Sequence, residues 1–292
     1  MRKLTRFQIA KSDIVSFFED YGKEILDYND ISRILNQNRR SWRLPVSLTA
    51  NKFIELLNEN TKLKTNELKF LRKKYMRFTW GDVSVYRLAL SLERNSYFTH
   101  YTALYWHNLT EQIPKTIYVN CEQSQKRYAP TRLIQENIDR AFRNPQRESK
   151  NIASVGDFKI CILNGKYTNR LGVIETTTQE NENIILTDIE RTLIDIVVRP
   201  SYSGGIHEVL NAYRNAVGKV SINRLSAILQ KLNYIYPYHQ AIGFYLQRAG
   251  VYRESQIKLL KKFDFEYDFY ITHKMKETEY SKEWRLYYPK GF

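Results

Sequence analysis

The chain has 292 residues, 42% of them apolar and 26% charged, which is enough for a sizeable core in one large or two ordinary domains. No apolar run approaches the ~18 residues of a membrane-spanning helix, and the two cysteines, Cys121 and Cys161, cannot supply a disulfide framework or a cysteine-based zinc site. Lys and Arg number 46 against 31 Asp and Glu, and the net charge of +15 favours a polyanion such as nucleic acid, or an anionic membrane face. The basic start of the chain has no apolar segment behind it, so we expect a cytoplasmic protein without a secretory signal.

Three short amphipathic helices and a β-hairpin are predicted in the first 90 residues. Two alternating segments, Asn66–Phe70 and Tyr75–Trp80, are typical of paired strands. Three helices before a hairpin are the plan of a winged helix-turn-helix domain, which we assign to residues 1–90. The helices are predicted to begin at residues that favour N-caps: Ser12, Asn29–Asp30, and Ser47 or Thr49.

Positive charge is concentrated in this first part. Residues 1–90 carry a net charge of +8, whereas residues 91–292, which are more than twice as many, carry +7. Phosphate oxygens bind Lys and Arg, whereas base edges bind Asn or Arg. The alternative is a solvated basic surface, and Glu55 and Glu59 on the third helix would repel phosphate. The candidate DNA contacts precede the third helix, occupy its first turn and cover the hairpin tip: Arg39, Arg40, Arg43; Thr49, Asn51, Lys52; Arg72, Lys73, Lys74.

Residues 91–292 are predicted to form a larger mixed α/β domain, which makes the whole chain an α+β protein of two domains. A capping box of Thr187 and Glu190 predicts a helix that ends near Val198. Alternating aromatic residues predict a strand over Phe263–Ile271, with Trp284–Tyr288 as its partner. Further helices are predicted at Thr99–Asn108 and after Pro130, Gly205, Ser221 and Pro237, and further strands at Thr116–Asn120, Phe158–Leu163 and Gly172–Thr177.

Four charged residues of the helix that follows Thr187 are spaced three and four apart, which places them on one helical face: Asp188, Arg191, Asp195 and Arg199. One interpretation is a ladder of surface ion pairs. The other is a recognition surface. Because acidic residues in the first turn also favour a helix, the residues alone leave both interpretations open.

Seven short segments of the second part form a recognisable series in residues 97–205: Tyr97–Leu104, His107–Thr110, Gln112–Pro114, Ile117–Val119, Thr187–Asp195, Arg199–Pro200 and Gly204–Gly205. In sequence, order and spacing these phrases resemble the AbiEi family, the antitoxins of type IV toxin–antitoxin (abortive infection) systems. Asn108 stands where the family phrase would have glycine, and asparagine tolerates the same left-handed turn.

The resemblance implies an N-terminal winged helix-turn-helix, a C-terminal antitoxin domain, repression of the protein's own operon and a nucleotidyltransferase-type toxin as functional partner. It also implies that Asp188, Arg191, Asp195 and Arg199 belong to an antitoxin surface. We therefore expect a phage-defence antitoxin and transcriptional autorepressor that is not an enzyme, with no catalytic residues, metal or cofactor and no membrane partner. The alternatives are a nucleic-acid-cleaving or modifying defence enzyme, for which Asp157-Phe158-Lys159 is a weak magnesium motif, and a DNA-binding regulator without a toxin.

Overall fold

The computed structural model describes residues 5–125, 132–178 and 181–292, which form an α+β fold. None of the helices in these ranges is long and apolar enough to cross a membrane. The helices are α1 Arg6–Asp20, α2 Tyr28–Asn38, α3 Ala50–Asn60, α4 Val85–Leu90, α5 His100–Trp106, α6 Gln135–Arg143, α7 Ile189–Val198, α8 Ile206–Asn215, α9 Ile222–Leu232, α10 Tyr238–Ala249 and α11 Glu254–Ile257. The strands are β1 Ile25–Leu26, β2 Leu63–Lys69, β3 Lys74–Trp80, β4 Tyr97–Phe98, β5 Thr116–Glu122, β6 Ile152–Val155, β7 Phe158–Gly165, β8 Val173–Thr177, β9 Asn183–Thr187, β10 Phe269–Tyr270, β11 Thr278–Ser281 and β12 Leu286–Pro289.

The first 80 residues run in the order α1, β1, α2, α3, β2, β3, with an antiparallel sheet of order β1-β3-β2. The α3 helix begins behind Thr49, one of the two predicted caps, because the Thr49 hydroxyl accepts a hydrogen bond from the Lys52 amide. The prediction that Ser12 begins the first helix was wrong, since a capping box of Thr5 and Gln8 starts α1 at Arg6.

The second helix also begins earlier than predicted. Asp27, not Asn29–Asp30, is its N-cap, and Asp30 closes the capping box by accepting from the Asp27 amide. Aromatic packing then joins the helices to the small sheet, with Phe18 of α1 stacked on Trp80 of β3 at a ring-centroid distance of 4.8 Å.

A six-stranded mixed sheet of order β6-β7-β5-β4-β9-β8 forms the centre of the remaining chain. β5 lies parallel to β7, and β4 lies parallel to β9 but antiparallel to β5. The tip end of the β2–β3 hairpin packs into the core of this sheet through three buried side chains, Leu68, Phe70 and Tyr75. The apolar core is therefore continuous from the hairpin tip into the six-stranded sheet.

Helices α7 to α10 and a small sheet of order β10-β12-β11 form the other large core. The predicted strand at Phe263–Ile271 was mostly wrong, because only Phe269–Tyr270 forms a ladder, in parallel with β12. The preceding aromatic side chains pack singly instead, with Phe263 stacked on His239 and Phe265 beside Trp284. Alternation there reflects separate packing contacts of a loop.

The other helices and strands of this part occur close to their predicted positions. The helices predicted after Gly205, Ser221 and Pro237 are α8, α9 and α10. Pro130 lies outside the described residues, and the helix predicted after it is present as α6 from Gln135. Asn108 adopts the expected left-handed conformation, with a φ of 52°.

Candidate functional site

Helix α7 carries the four charged residues that the sequence places on one face. The helix is packed on most sides, by α5, α8, α9 and β9, and Asp188, Arg191 and Asp195 are each more than nine-tenths buried. The interpretation of these residues as a ladder of surface ion pairs was therefore wrong, and the same burial contradicts an exposed recognition surface at Asp188, Arg191 and Asp195. The predicted cap was also wrong by one residue, since Asp188 rather than Thr187 accepts the Arg191 amide, at 2.7 Å.

Arg191 and Asp195 form a buried ion pair one helical turn apart. The Arg191 Nε donates to Asp195 Oδ1 at 2.8 Å, and its Nη1 donates to the Leu171 carbonyl at 2.7 Å. The second Asp195 oxygen accepts from the Thr99 hydroxyl at 3.1 Å. Burial opposes the charge on Arg191, but the Asp195 carboxylate together with Tyr234 and Tyr97 outweighs burial and raises the pKa of the guanidinium above its ordinary value.

Asp188 has different partners from the other three residues. Its carboxylate pairs with Arg224 of α9, whose side chain is exposed. Burial raises the pKa of Asp188, which the Arg191 amide and the Arg224 charge oppose. The four predicted residues are thus divided between an α7–α9 contact and a separate cavity.

That cavity has a volume of about 710 Å³ and lies where β5 and β7 end, beside the start of α5 and the last two turns of α7. Three of the four predicted residues, Arg191, Asp195 and Arg199, line it. Pattern analysis of the sequence missed the rest of its polar and aromatic lining, which comes from distant segments. Those residues include Asn120, Arg147, Glu148, Asn164, Lys166, Tyr167, Tyr202 and Tyr234.

Positive charge in the cavity exceeds the carboxylates available to neutralise it. Asp195 is already paired with Arg191, and Glu148 is the other acidic residue of the lining. Among the described residues, no carboxylate forms an ion pair with Arg147, Lys166 or Arg199. The cavity therefore presents three cations against one unpaired carboxylate.

His100 forms part of the cavity wall at the first residue of α5. Its ring is buried, packs edge-on against Tyr202 at a centroid distance of 5.4 Å, and has a positive φ of 52°. Its Nδ1 has no hydrogen-bond partner among the described residues. Burial lowers the pKa of His100 to about 4, an effect that nearby Arg199 reinforces and Asp195 opposes.

The phrases that resemble the antitoxin family contact one another around α7. Besides the Thr99–Asp195 hydrogen bond, the His107 Nε2 lies 2.6 Å from the Thr187 carbonyl oxygen. The Thr110 hydroxyl donates to Glu208 at 2.7 Å, and a Cβ on Gly204 would come within 3.1 Å of that same side chain. Segments almost a hundred residues apart are thus held in one structural unit.

The candidate DNA contacts lie on α3, the loop before it and the tip of the β2–β3 hairpin. Arg39 is half-buried and donates to the carbonyls of Pro45 and Leu48, which makes it a support of that loop. Three basic side chains pair with carboxylates: Lys52 with Glu55, Lys73 with Glu93 and Lys74 with Glu67. Arg40, Arg43, Thr49, Asn51 and Arg72 are exposed, and no ion pair to a described residue engages the three arginines.

The fold is similar to that of the RV2827C protein from Mycobacterium tuberculosis, known from a crystal structure. The TM-score is 0.60, the sequence identity is 13%, and the match covers 98% of this chain and 92% of that chain. At this identity the similarity shows a shared α+β fold alone. No protein-family model and no curated protein matches the chain.

Proposed function

We propose that the protein is a DNA-binding autorepressor and antitoxin of the AbiEi type, in which a winged helix-turn-helix at residues 1–90 binds the promoter of its own operon. The observation that carries the DNA-binding part is the order α1-β1-α2-α3-β2-β3 with the sheet order β1-β3-β2. In this arrangement α2 and α3 are the helix-turn-helix, α3 enters the major groove and the hairpin is the wing.

The exposed side chains support this orientation. Thr49 and Asn51 lie in the first turn of α3, where recognition helices contact base edges. Arg40 and Arg43 precede that turn, and Arg72 is exposed at the hairpin tip, whose apolar side chains pack on the six-stranded sheet. No described carboxylate neutralises these three charges, which are suited to phosphate oxygens. Lys52, Lys73 and Lys74 each have a carboxylate partner, which weakens their attraction for phosphate.

We expect the full chain to bind its promoter with an affinity that falls steeply between 50 and 200 mM salt, since bound phosphates release counterions. Replacing Arg40, Arg43 and Arg72 together with Ala should reduce the slope of log K against log salt by about 0.9 for each phosphate that the variant no longer neutralises. Replacing Asn51 with Ala should instead reduce the preference for the operator over unrelated DNA, by about 1–3 kcal/mol.

Mobility shifts over a salt series measure both effects. The matched control replaces three exposed lysines of the C-terminal part that form no ion pair with a described residue, Lys262, Lys276 and Lys282, with Ala. Equal losses of DNA affinity in the control and in the arginine variant would mean that net charge alone drives binding. Absence of salt-dependent binding would contradict the proposal.

The antitoxin part of the proposal rests on the resemblance of residues 97–205 to the AbiEi family. It is supported by the contacts through which those phrases form one unit around α7. We propose that this unit counteracts a nucleotidyltransferase-type toxin encoded beside the protein, with or without stable contact. Binding rather than catalysis is the proposed mode of action.

Separate surfaces for repression and protection predict that one function can be lost alone. The full chain with Arg40, Arg43 and Arg72 replaced by Ala should lose repression of a promoter reporter but still rescue growth when the neighbouring toxin is induced. Circular dichroism of the variant would check that it is folded. Loss of rescue together with repression would contradict separate surfaces, and failure of the unaltered chain to rescue would favour a DNA-binding regulator without a toxin.

A further inference from the structure

The cavity beside α7 has the composition of an anion site. Arg147, Lys166 and Arg199 reach it from three separate segments, and Glu148, next to Arg147 in the chain, is the unpaired carboxylate of the lining. The planar guanidinium group forms paired hydrogen bonds to phosphate oxygens, and several convergent cations suit a group with more than one negative charge.

The polar contacts already present leave hydrogen-bonding capacity on these cations. One Arg199 nitrogen, Nη1, donates to the Arg147 carbonyl at 2.8 Å, which holds the guanidinium at the cavity wall. The Lys166 Nζ donates to the carbonyls of Leu232 and Asn233, and burial together with the Arg191 charge lowers the pKa of this amine. A bound anion would offset the electrostatic repulsion between the Lys166 amine and the Arg191 guanidinium.

The cavity is larger than a phosphate ion needs. A volume of about 710 Å³ is in the range of pockets for small organic ligands, roughly 300–1,000 Å³. Tyr167 and Tyr234 add aromatic surface, on which a planar base can stack, and Asn164 adds an exposed amide that can bind base edges. These groups suit the nucleoside half of a nucleotide.

Two further features indicate a ligand site. His100 lines the cavity as a buried side chain whose Nδ1 lacks a partner among the described residues, in a backbone conformation that non-glycine residues rarely adopt. An unpaired buried polar atom and a positive φ each cost free energy of folding, and such features are concentrated at binding sites. The cavity also lies at the carboxyl ends of the parallel strands β5 and β7, which is where open α/β sheets bind ligands.

We infer that this cavity binds a nucleoside phosphate, with the phosphate on Arg147, Lys166 and Arg199 and the base against Tyr167 and Tyr234. The ligand is either a free nucleotide or the terminal nucleotide of an RNA. This activity is separate from promoter binding and does not depend on the antitoxin proposal, because it requires neither DNA nor toxin.

Isothermal titration calorimetry of the purified full chain tests the inference with the common ribonucleoside mono- and triphosphates, inorganic phosphate and unphosphorylated nucleosides. We expect one saturable site for at least one nucleotide, and binding at least about tenfold weaker for phosphate and for nucleoside alone. Arg147→Gln and Arg199→Gln should each weaken nucleotide binding by about tenfold or more, because each removes a charge-assisted hydrogen bond.

Arg143→Gln is the matched control, since Arg143 is exposed four residues from Arg147 and lies outside the cavity lining. Arg72→Ala controls for non-specific attraction by the DNA-binding surface, and both controls should retain full affinity. Tyr167→Ala should weaken binding of the nucleotide but leave binding of inorganic phosphate unchanged. Should Arg199→Gln fail to fold, Arg147→Gln still decides, because the Arg147 side chain donates no hydrogen bond to a described residue.

A short oligoribonucleotide that competes with the nucleotide would identify an RNA end as the ligand, whereas a lack of competition would identify a free nucleotide. The inference is overturned if no nucleotide binds saturably at millimolar concentration. It is also overturned if inorganic phosphate binds as tightly as every nucleotide, or if Arg147→Gln and Arg199→Gln weaken binding no more than Arg143→Gln does.

Discussion

Replacing Asp195 with Ala should lower the free energy of unfolding by about 3–5 kcal/mol, because it leaves the Arg191 guanidinium buried without its carboxylate. Both side chains of this pair are less than a tenth exposed, with 2.8 Å between Arg191 Nε and Asp195 Oδ1. The variant also deprives the Thr99 hydroxyl of its acceptor. Urea denaturation followed by far-ultraviolet circular dichroism measures the loss.

The chain contains a matched control for this prediction. Glu254 and Lys258 are also four residues apart and also 2.8 Å apart, but their side chains are 79% and 61% exposed. Replacing Glu254 with Ala should leave the midpoint of denaturation unchanged within error, since solvent screens an exposed pair. If the two variants lost similar amounts of unfolding free energy, burial of the α7 pair would not govern its contribution to stability.

Acidification should destabilise the fold between pH 6.5 and 4 through two buried histidines. Burial lowers the pKa of His100 and of His239 to about 4, against 6.5 for the free side chain. As the pH falls below 6.5, His100 and His239 therefore bind protons in the unfolded chain but stay neutral in the folded chain, so the free energy of unfolding decreases. At pH 5 each histidine should cost about 2 kcal/mol relative to pH 7.5.

Urea midpoints at pH 7.5 and pH 5 test this expectation. Replacing His100 and His239 together with Gln should reduce the difference between the two pH values, and His107 and His273, whose pKa values burial also lowers, should retain the remainder. His207 is exposed, and His207→Gln should retain the full difference. An unchanged pH dependence in the double variant would mean that other groups cause the acid sensitivity.

Local structure could be predicted from the sequence where local signals decide it. The start of α3 behind Thr49 depends on a few neighbouring residues, and Thr49 was one of the two predicted caps. The left-handed turn at Asn108 was predicted from the resemblance to the antitoxin family. The start of α1 was missed because Ser12 also suits an N-cap, whereas the capping box at Thr5 and Gln8 lies nearer the terminus. Local signals thus locate an element more reliably than they choose between two possible caps.

The candidate cavity could be predicted only in part. Helical spacing correctly grouped Arg191, Asp195 and Arg199, but spacing cannot tell whether a protein layer or solvent covers a helical face. Arg147 and Lys166 come from separate segments and carry no local pattern, so only the tertiary fold brings them to the cavity. His100 lies in a segment that resembles the antitoxin family, and that resemblance was the one available signal for its location.

The buried hairpin tip limits how freely the two parts of the chain can be exchanged. Leu68, Phe70 and Tyr75 belong to the same apolar cluster as Leu88 and Phe98. A hybrid that joins a foreign regulator to residues 91–292 would leave that cluster open to water unless it retained the hairpin. Recombination at residue 90 is therefore disfavoured, and we expect the two parts to be inherited and to diverge together.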